Sequence, residues 1–205
     1  QLYGLTIRNG TDDGINLLGN SYEIKKCISH NNYSDGIQIT GNTNIIQNNV
    51  CLHNGHFGEH GIDVDGNSNT IQYNKAYYNL ADGINIYGDA NTIANNQCCN
   101  NAIDGIDIDG DNGSGGNKID SNFCELNGAE GIEDNCILAE VSGGGTGGTT
   151  IKNNISRFNG TSDYAISRTT PTDAINQFMN QTDSINNISS DGSHDFSKTP
   201  KVDSW

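Results

Sequence analysis

Residues 60–94 read HGIDVDGNSNTIQYNKAYYNLADGINIYGDANTIA, and one pattern is spelled twice within them. His60-Gly61-Ile62 returns 22 residues later as Asp82-Gly83-Ile84, and Ile71 returns as Ile93. After each glycine the residues alternate, Ile62-Asp63-Val64-Asp65 and then Ile84-Asn85-Ile86-Tyr87. A period of two puts apolar side chains on one face and polar ones on the other, as in a half-buried strand. The apolar stretches are too short, and too rich in Gly and Asn, to be helices. A unit of 22 residues with two or three short strands cannot bury its own apolar face. It must stack on copies of itself.

The copies extend in both directions. The tripeptide occurs at Asp13-Gly14-Ile15, Asp35-Gly36-Ile37, His60-Gly61-Ile62, Asp82-Gly83-Ile84, Asp104-Gly105-Ile106 and Glu130-Gly131-Ile132. Its glycines are 22, 25, 22, 22 and 26 residues apart. A second apolar anchor recurs at Ile24, Ile46, Ile71, Ile93, Ile119 and Ile151. Five residues after each anchor stands a small side chain: Ser29, Cys51, Ala76, Cys98, Cys124 and Ser156. Eight residues after it stands Asn32, Asn54, Asn79, Asn101, Asn127 or Asn159. A further glycine closes most strands, at Gly19, Gly41, Gly66, Gly88 and Gly110. The repeat glycines are expected to permit either a positive-φ turn or close stacking of coils.

The fold expected is all-β: a right-handed parallel β-helix of about seven coils with a 22-residue period, over residues 1–189, followed by a C-terminal cap or tail at 190–205. Each coil rises ~4.8 Å above the last, and stacked Asn side chains hydrogen-bond along the axis. The leucine-rich repeat competes on period, but its L-x-x-L-x-L frame is absent. The Gly113-Ser114-Gly115-Gly116-Asn117 run is only a passing likeness to a calcium-binding nonapeptide roll. Leu5, Ile7 and Gly10 already fit the register, so the chain opens in mid-coil. Solenoids need caps. A preceding segment, or a partner chain covering this end, is therefore expected, and room is left for a homo-oligomer.

Composition narrows the function classes. Net charge is −15 with only 10 Lys plus Arg, which argues against binding nucleic acid or an anionic membrane. No apolar run approaches the ~18 residues of a membrane span. Of the six cysteines, Cys51, Cys98 and Cys124 occupy the small inward position and Cys27 a neighbouring inward turn, so buried free thiols are expected. Cys98 and Cys124, on adjacent coils, fall within disulfide range. Zinc is disfavoured by the absence of a C-x-x-C pair. Insertions at Gly55–Glu59, Asp111–Gly115 and Cys136–Gly148 interrupt the period. Long loops on a strict solenoid are where function usually sits.

The outward residues of the strand after each glycine form the candidate site. The second positions read Asn16, Gln38, Asp63, Asn85, Asp107 and Glu133, and the fourth Leu18, Thr40, Asp65, Tyr87, Asp109 and Asn135. His60 stands at the edge of this patch. Asp63, Asp65, Asp107 and Asp109 repel one another if all are ionised, which invites a counter-ion. Oxygen-only ligands make that ion Ca²⁺ rather than zinc. The same residue types also suit tight turns and solvated strands.

The chain resembles the right-handed parallel β-helix superfamily of carbohydrate-binding and sugar-hydrolase repeats, polysaccharide lyases, alginate epimerases and viral tailspikes. The resemblance rests on the repeat register over about residues 2–160. Asp104-Gly105-Ile106-Asp107 is similar to one piece of the polygalacturonase signature, whose other pieces are missing. Paired carboxylates such as Asp63 and Asp107 would serve inverting hydrolysis at separations of ~6.5–9.5 Å. The Asp-Gly-Ile motifs resemble those of calcium-dependent pectate lyases, which also need a basic residue on this face. Glu59-His60-Gly61-Ile62-Asp63 partly resembles an alginate epimerase motif. That likeness implies a set of His60, Asp63 and Tyr87, with His60 as acid or base and Tyr87 as proton donor, while Asp107 is a catalytic candidate through the polygalacturonase likeness. Asn85, Asp109 and Glu133 would then bind substrate. The implied function is a secreted or surface β-helix that binds or processes a polysaccharide such as a uronan. The alternative is a structural module: a viral fibre, a capsid-associated spike or a cell-surface repeat.

Overall fold

The computed structural model describes residues 1–56, 58–109, 116–134, 150–160, 162–166 and 188–189. Their strands run three to a coil and pair only with the equivalent strands of the coils above and below. The first sheet stacks β1 (Leu2–Tyr3), β4 (Glu23–Lys25), β7 (Ile45–Gln47), β10 (Thr70–Gln72), β13 (Thr92–Ala94), β16 (Lys118–Asp120) and β19 (Thr150–Lys152). The second stacks β2 (Thr6–Arg8), β5 (Ile28–His30), β8 (Val50–Leu52), β11 (Lys75–Tyr77), β14 (Gln97–Cys99), β17 (Phe123–Glu125), β20 (Ile155–Arg157) and β22 (Ile188–Ser189). The third stacks β3 (Ile15–Leu18), β6 (Ile37–Thr40), β9 (Ile62–Asp65), β12 (Ile84–Tyr87), β15 (Ile106–Asp109), β18 (Glu130–Asp134) and β21 (Ser162–Ile166). Every pairing is parallel and in phase with the repeat: Ile71 pairs with Ile46 and Ile93, and Asn85 with Asp63 and Asp107. This is the expected parallel β-solenoid. Among the described residues there is no helix, and so none long and apolar enough to cross a membrane.

The core is a set of vertical files. Ile24, Ile46, Ile71, Ile93 and Ile119 are wholly buried in the first sheet, and Ile37, Ile62, Ile84 and Ile106 in the third. Burying each such side chain contributes about 1.5–3 kcal/mol. The second sheet turns its small residues inward: Ser29, Cys51, Ala76, Cys98, Cys124 and Ser156 are all fully buried. The expectation of buried free thiols holds for Cys27, Cys51, Cys98 and Cys124, and Cys99 is also free though only half-buried. Burial pushes the Cys51 thiol well above its usual range.

Small side chains in the second sheet allow the repeat glycines to come close. A Cβ on Gly83 would lie 2.6 Å from the Gly105 carbonyl oxygen and 3.0 Å from Cys98 Cβ. Close stacking, not a positive φ, therefore excludes a side chain there. The closing glycines differ. Gly41 has φ +146°, and a Cβ on it would lie 2.0 Å from the Gly19 carbonyl oxygen.

Each coil turns its corners on single left-handed residues with φ of 53–58°, such as Asn48 and His53 in one coil and Tyr73 and Tyr78 in the next. The residue after the corner is an asparagine except at Gly10, Tyr22 and Cys27, and these asparagines are buried apart from the half-buried Asn159. Asn74, Asn96 and Asn122 form one file and Asn54, Asn79 and Asn101 another. Each asparagine closes the backbone groups that the corner removes from the sheet. Asn74 N–H donates to Asn96 Oδ1 at 2.9 Å, and Asn74 Nδ2 donates to the Ile46 carbonyl at 2.9 Å. The Asn32-to-Asn159 ladder was expected. The Asn49-to-Asn154 ladder and the Asn44-to-Asn117 ladder are additional. The expected cap at 190–205 lies outside the described residues.

Candidate functional site

The third sheet presents its outer face as two columns, as the period-two alternation requires. In one column Asn16, Gln38, Asp63, Asn85, Asp107 and Glu133 are in register, and in the other Leu18, Thr40, Asp65, Tyr87 and Asp109. Asp109 and Glu133 are placed by backbone alone, and Asn135 lies outside the described residues. The first column is a hydrogen-bonded ribbon. Asn16 Nδ2 donates to Asp13 Oδ2 and to Gln38 Oε1, both at 2.6 Å. Gln38 bonds Asp63 in turn, and Asn85 Nδ2 donates to Asp63 Oδ1 at 3.1 Å. Asp63 thus receives a hydrogen bond from each side. Burial still holds its carboxyl above the usual range, against the His60 charge and these two bonds. Tyr87 stands 37% exposed between Asp65 and Asp109.

Beside this column runs a second ladder, made by the residues just before the repeat glycines. Asp35 N–H donates to Asp13 Oδ1 at 3.0 Å, His60 N–H to Asp35 Oδ1 at 2.6 Å and Asp104 N–H to Asp82 Oδ1 at 2.7 Å. Glu130 N–H donates to Asp104 Oδ1 at 2.6 Å. The carboxylate at this position is therefore a structural acceptor for the coil above. The ladder changes at His60. Its Nδ1 lies 3.0 Å from Asp82 Oδ2 and 3.4 Å from the Asp82 amide nitrogen. One ring nitrogen cannot both donate and accept, so the shorter, charge-assisted contact decides: the ring donates to the carboxylate.

The electrostatics agree with that assignment. Burial alone would lower the His60 pKa, but the hydrogen bond and charge of Asp82, with the charges of Asp63 and Asp35, hold it at about 9. The imidazolium is the resting form at neutral pH. Burial, aided by the charges of Asp63 and Asp13 and opposed by the His60 amide and ring, pushes the Asp35 carboxyl up to about 7. Among the described residues, no lysine or arginine lies on the third sheet or the turns beside it. His60 is thus the cation within a file of carboxylates.

The structure gathers the expected residues unequally. His60 and Asp63 interact electrostatically, and Asn85 links Asp63 to the coil carrying Asp107. Asp63 and Asp107 lie two coils apart, with Asn85 between them, and Asp65 and Asp109 likewise flank Tyr87. The carboxylates that converge are instead Asp82, Asp104 and Asp107, each offering an oxygen within 4.8 Å of the others. Only Asp107 belongs to the expected metal set. Asp35, Asp82 and Asp104 read in the sequence as turn residues. The available signal was their fixed place before every repeat glycine. The three insertions all border the third sheet: Gly55–Glu59 lies between β8 and β9, Asp111–Gly115 between β15 and β16, and Cys136–Gly148 between β18 and β19.

Residues 1–155 match the family model described as "Right handed beta helix region". No curated protein matches the chain. Among solved structures, a double mutant of the periplasmic alginate epimerase AlgG superposes with TM-score 0.58 at 16% identity, over 80% of this chain and 44% of that one. The periplasmic alginate epimerase AlgG itself gives TM-score 0.53 at 16% identity, over 82% and 48%. The chain spans less than half the length of these structures, and identity this low establishes the fold alone.

Proposed function

The chain belongs to the right-handed β-helix family, and on that premise we propose that it binds and processes a polysaccharide on the outer face of its third sheet. The observation that carries the reading is the His60–Asp82 pair beside Asp63, an acid held protonated next to a carboxylate held above its usual range. Groups of opposite role, poised by environment, are what proton transfer requires. Borders of lengthened turns on both sides of the same sheet support it, as does the likeness of the fold to an alginate epimerase.

The reaction class proposed is proton transfer at the carbon next to a uronate carboxyl. Asp63 takes the proton. His60 faces the substrate carboxylate, whose charge grows as the proton leaves, and Tyr87 delivers a proton. Return to the opposite face gives the epimer, whereas loss of the neighbouring glycosidic oxygen gives an unsaturated end. Asn85, Asp107, Asp109 and Glu133 extend the face on which the chain of sugars lies. The location proposed is outside the cytoplasm, where such polymers occur. Incubation with alginate, pectate and related uronans, read by absorbance of unsaturated products, by reducing ends and by hydrogen exchange at C5, tests the class. Turnover of one polymer, abolished in His60→Gln, is the expected result. A neutral polymer cleaved hydrolytically, with His60→Gln active, would replace this reading with the hydrolase one.

A face without Lys or Arg repels a polyanion, and we extend the proposal to calcium for that reason. The Asp82, Asp104 and Asp107 oxygens are the hard ligands such an ion takes. Since Asp82 Oδ2 also meets His60, the cation and the imidazolium compete for it. Ca²⁺ is expected to raise the melting temperature of the wild type and to leave Asp107→Asn nearly unmoved, because binding to the native state alone adds stability. A wild-type melt indifferent to saturating Ca²⁺ removes calcium from the mechanism.

A further inference from the structure

We propose that the second sheet carries a separate binding surface for an anionic polysaccharide, centred on Tyr73, Lys75, Tyr77 and Tyr78 of β11 and its two corners. The first support is conformational. Tyr73 and Tyr78 occupy left-handed corners with φ of 57° and 55°. Other coils place Asn48, Asn95 and Asn153, with Lys26 and Ser121, at the first corner, and Asn31 and Asn100, but also His53, Leu126 and Phe158, at the second. A bulky residue costs more than Asn in this conformation. The fold gains little in return, for Tyr73 is 50% and Tyr78 51% exposed. Strain kept for side chains that remain in solvent points to use outside the fold. His53 stacks on Tyr78 with ring centroids 5.2 Å apart and planes within 11°, so the aromatic surface continues along the axis.

The second support is charge. Arg8, Lys75 and Arg157 lie on the second sheet, and Lys25, Lys118 and Lys152 on the first. The described chain therefore segregates its cations from the acidic third sheet, and a polyanion approaching a protein of net charge −15 is received on this side. Three coils away Arg157 lies over both Phe123 and Phe158, at 5.1 and 5.7 Å from the ring centroids, while its Nε donates to Glu125 Oε1 at 2.7 Å. Aromatic faces stack on the C–H faces of sugar rings, and ammonium and phenol groups meet carboxylates and hydroxyls. So few cations cannot neutralise the phosphates that nucleic-acid affinity needs. This surface stands apart from the third sheet, and it holds whether or not that sheet carries chemistry.

Native gel electrophoresis of the full chain, in gels containing alginate, a neutral β-glucan or single-stranded DNA, tests it. Retardation by alginate alone is expected. The double variant Tyr73→Asn/Tyr78→Asn should lose about tenfold in alginate affinity, as two aromatic contacts imply. Its melting temperature should be equal or higher, because Asn suits the corners. If that variant melts lower, Lys75→Gln decides: a loss of at least about threefold sustains the surface, and none overturns it. Absence of retardation, equal retardation by glucan or DNA, or undiminished binding in the double variant overturns the proposal. So does a wild-type dimer that the double variant dissociates, which would make this face a contact between copies of the chain.

Discussion

Asn96→Ala is expected to lower the unfolding free energy by about 3–5 kcal/mol. Asn96 is 1% exposed. Its Nδ2 donates to the Ile71 carbonyl at 2.9 Å and to Asn122 Oδ1 at 3.0 Å. Its Oδ1 receives the Asn74 N–H at 2.9 Å and Asn74 Nδ2 at 3.1 Å. Alanine leaves the Ile71 carbonyl and the Asn74 N–H without these partners in a dry core. Each orphaned group costs about 1–3 kcal/mol. Asn96→Asp keeps size and acceptors but loses the donor to Ile71, and it buries a charge, so it should be no better. Urea denaturation of the three proteins measures this. A loss below about 1 kcal/mol for Asn96→Ala would mean that water enters the corner and takes over the bonds.

Stability is expected to fall as pH rises from 6 to 10, and His60→Gln is expected to flatten much of that fall. The folded pKa of His60, about 9, lies above its unfolded value of 6.5. The stabilisation is therefore complete below 6.5 and lost as pH passes through 9. At 1.36 kcal/mol per unit it is on the order of 3 kcal/mol. Asp35 acts in the same direction. Its folded pKa of about 7 exceeds the ordinary 3.8, so folding favours its protonated form, and that contribution declines between those values. The urea midpoints of wild type and His60→Gln at pH 6 and pH 10 isolate the histidine. Equal pH slopes in the two proteins would show that the Asp82 contact does not hold the proton.

The fold was legible because its period is written in residue types that have no substitute. Gly83 and its equivalents face a carbonyl of the next coil, and the isoleucine files have only the core to fill. The outer face of the third sheet was legible through the alternation of residues such as Asp63 and Val64. Two of the three buried asparagine ladders were hidden. Asn49 and Asn44 stand at fixed offsets from Ile46, yet asparagine is also what exposed turns contain, and composition cannot separate the two. The His60–Asp82 pair was hidden for a different reason. The residue before each glycine reads as a turn former, and its depth and partner depend on how coils stack. Charge repulsion suggested Asp63, Asp65, Asp107 and Asp109 as one group. Stacking separates these across Asn85 and Tyr87, and it brings Asp82 and Asp104 to Asp107 instead.

Proton exchange at the sugar carbon is the most direct measurement of the central claim. Alginate, or the uronan that is turned over best, is incubated with the protein in deuterium oxide, and deuterium at C5 is read by nuclear magnetic resonance. The prediction is uptake of deuterium at C5 by wild type, with a loss of at least about a hundredfold in His60→Gln, the scale of general acid–base catalysis. Unlabelled C5 positions together with no unsaturated ends in every uronan tested, or uptake undiminished in His60→Gln, would contradict proton transfer on the third sheet.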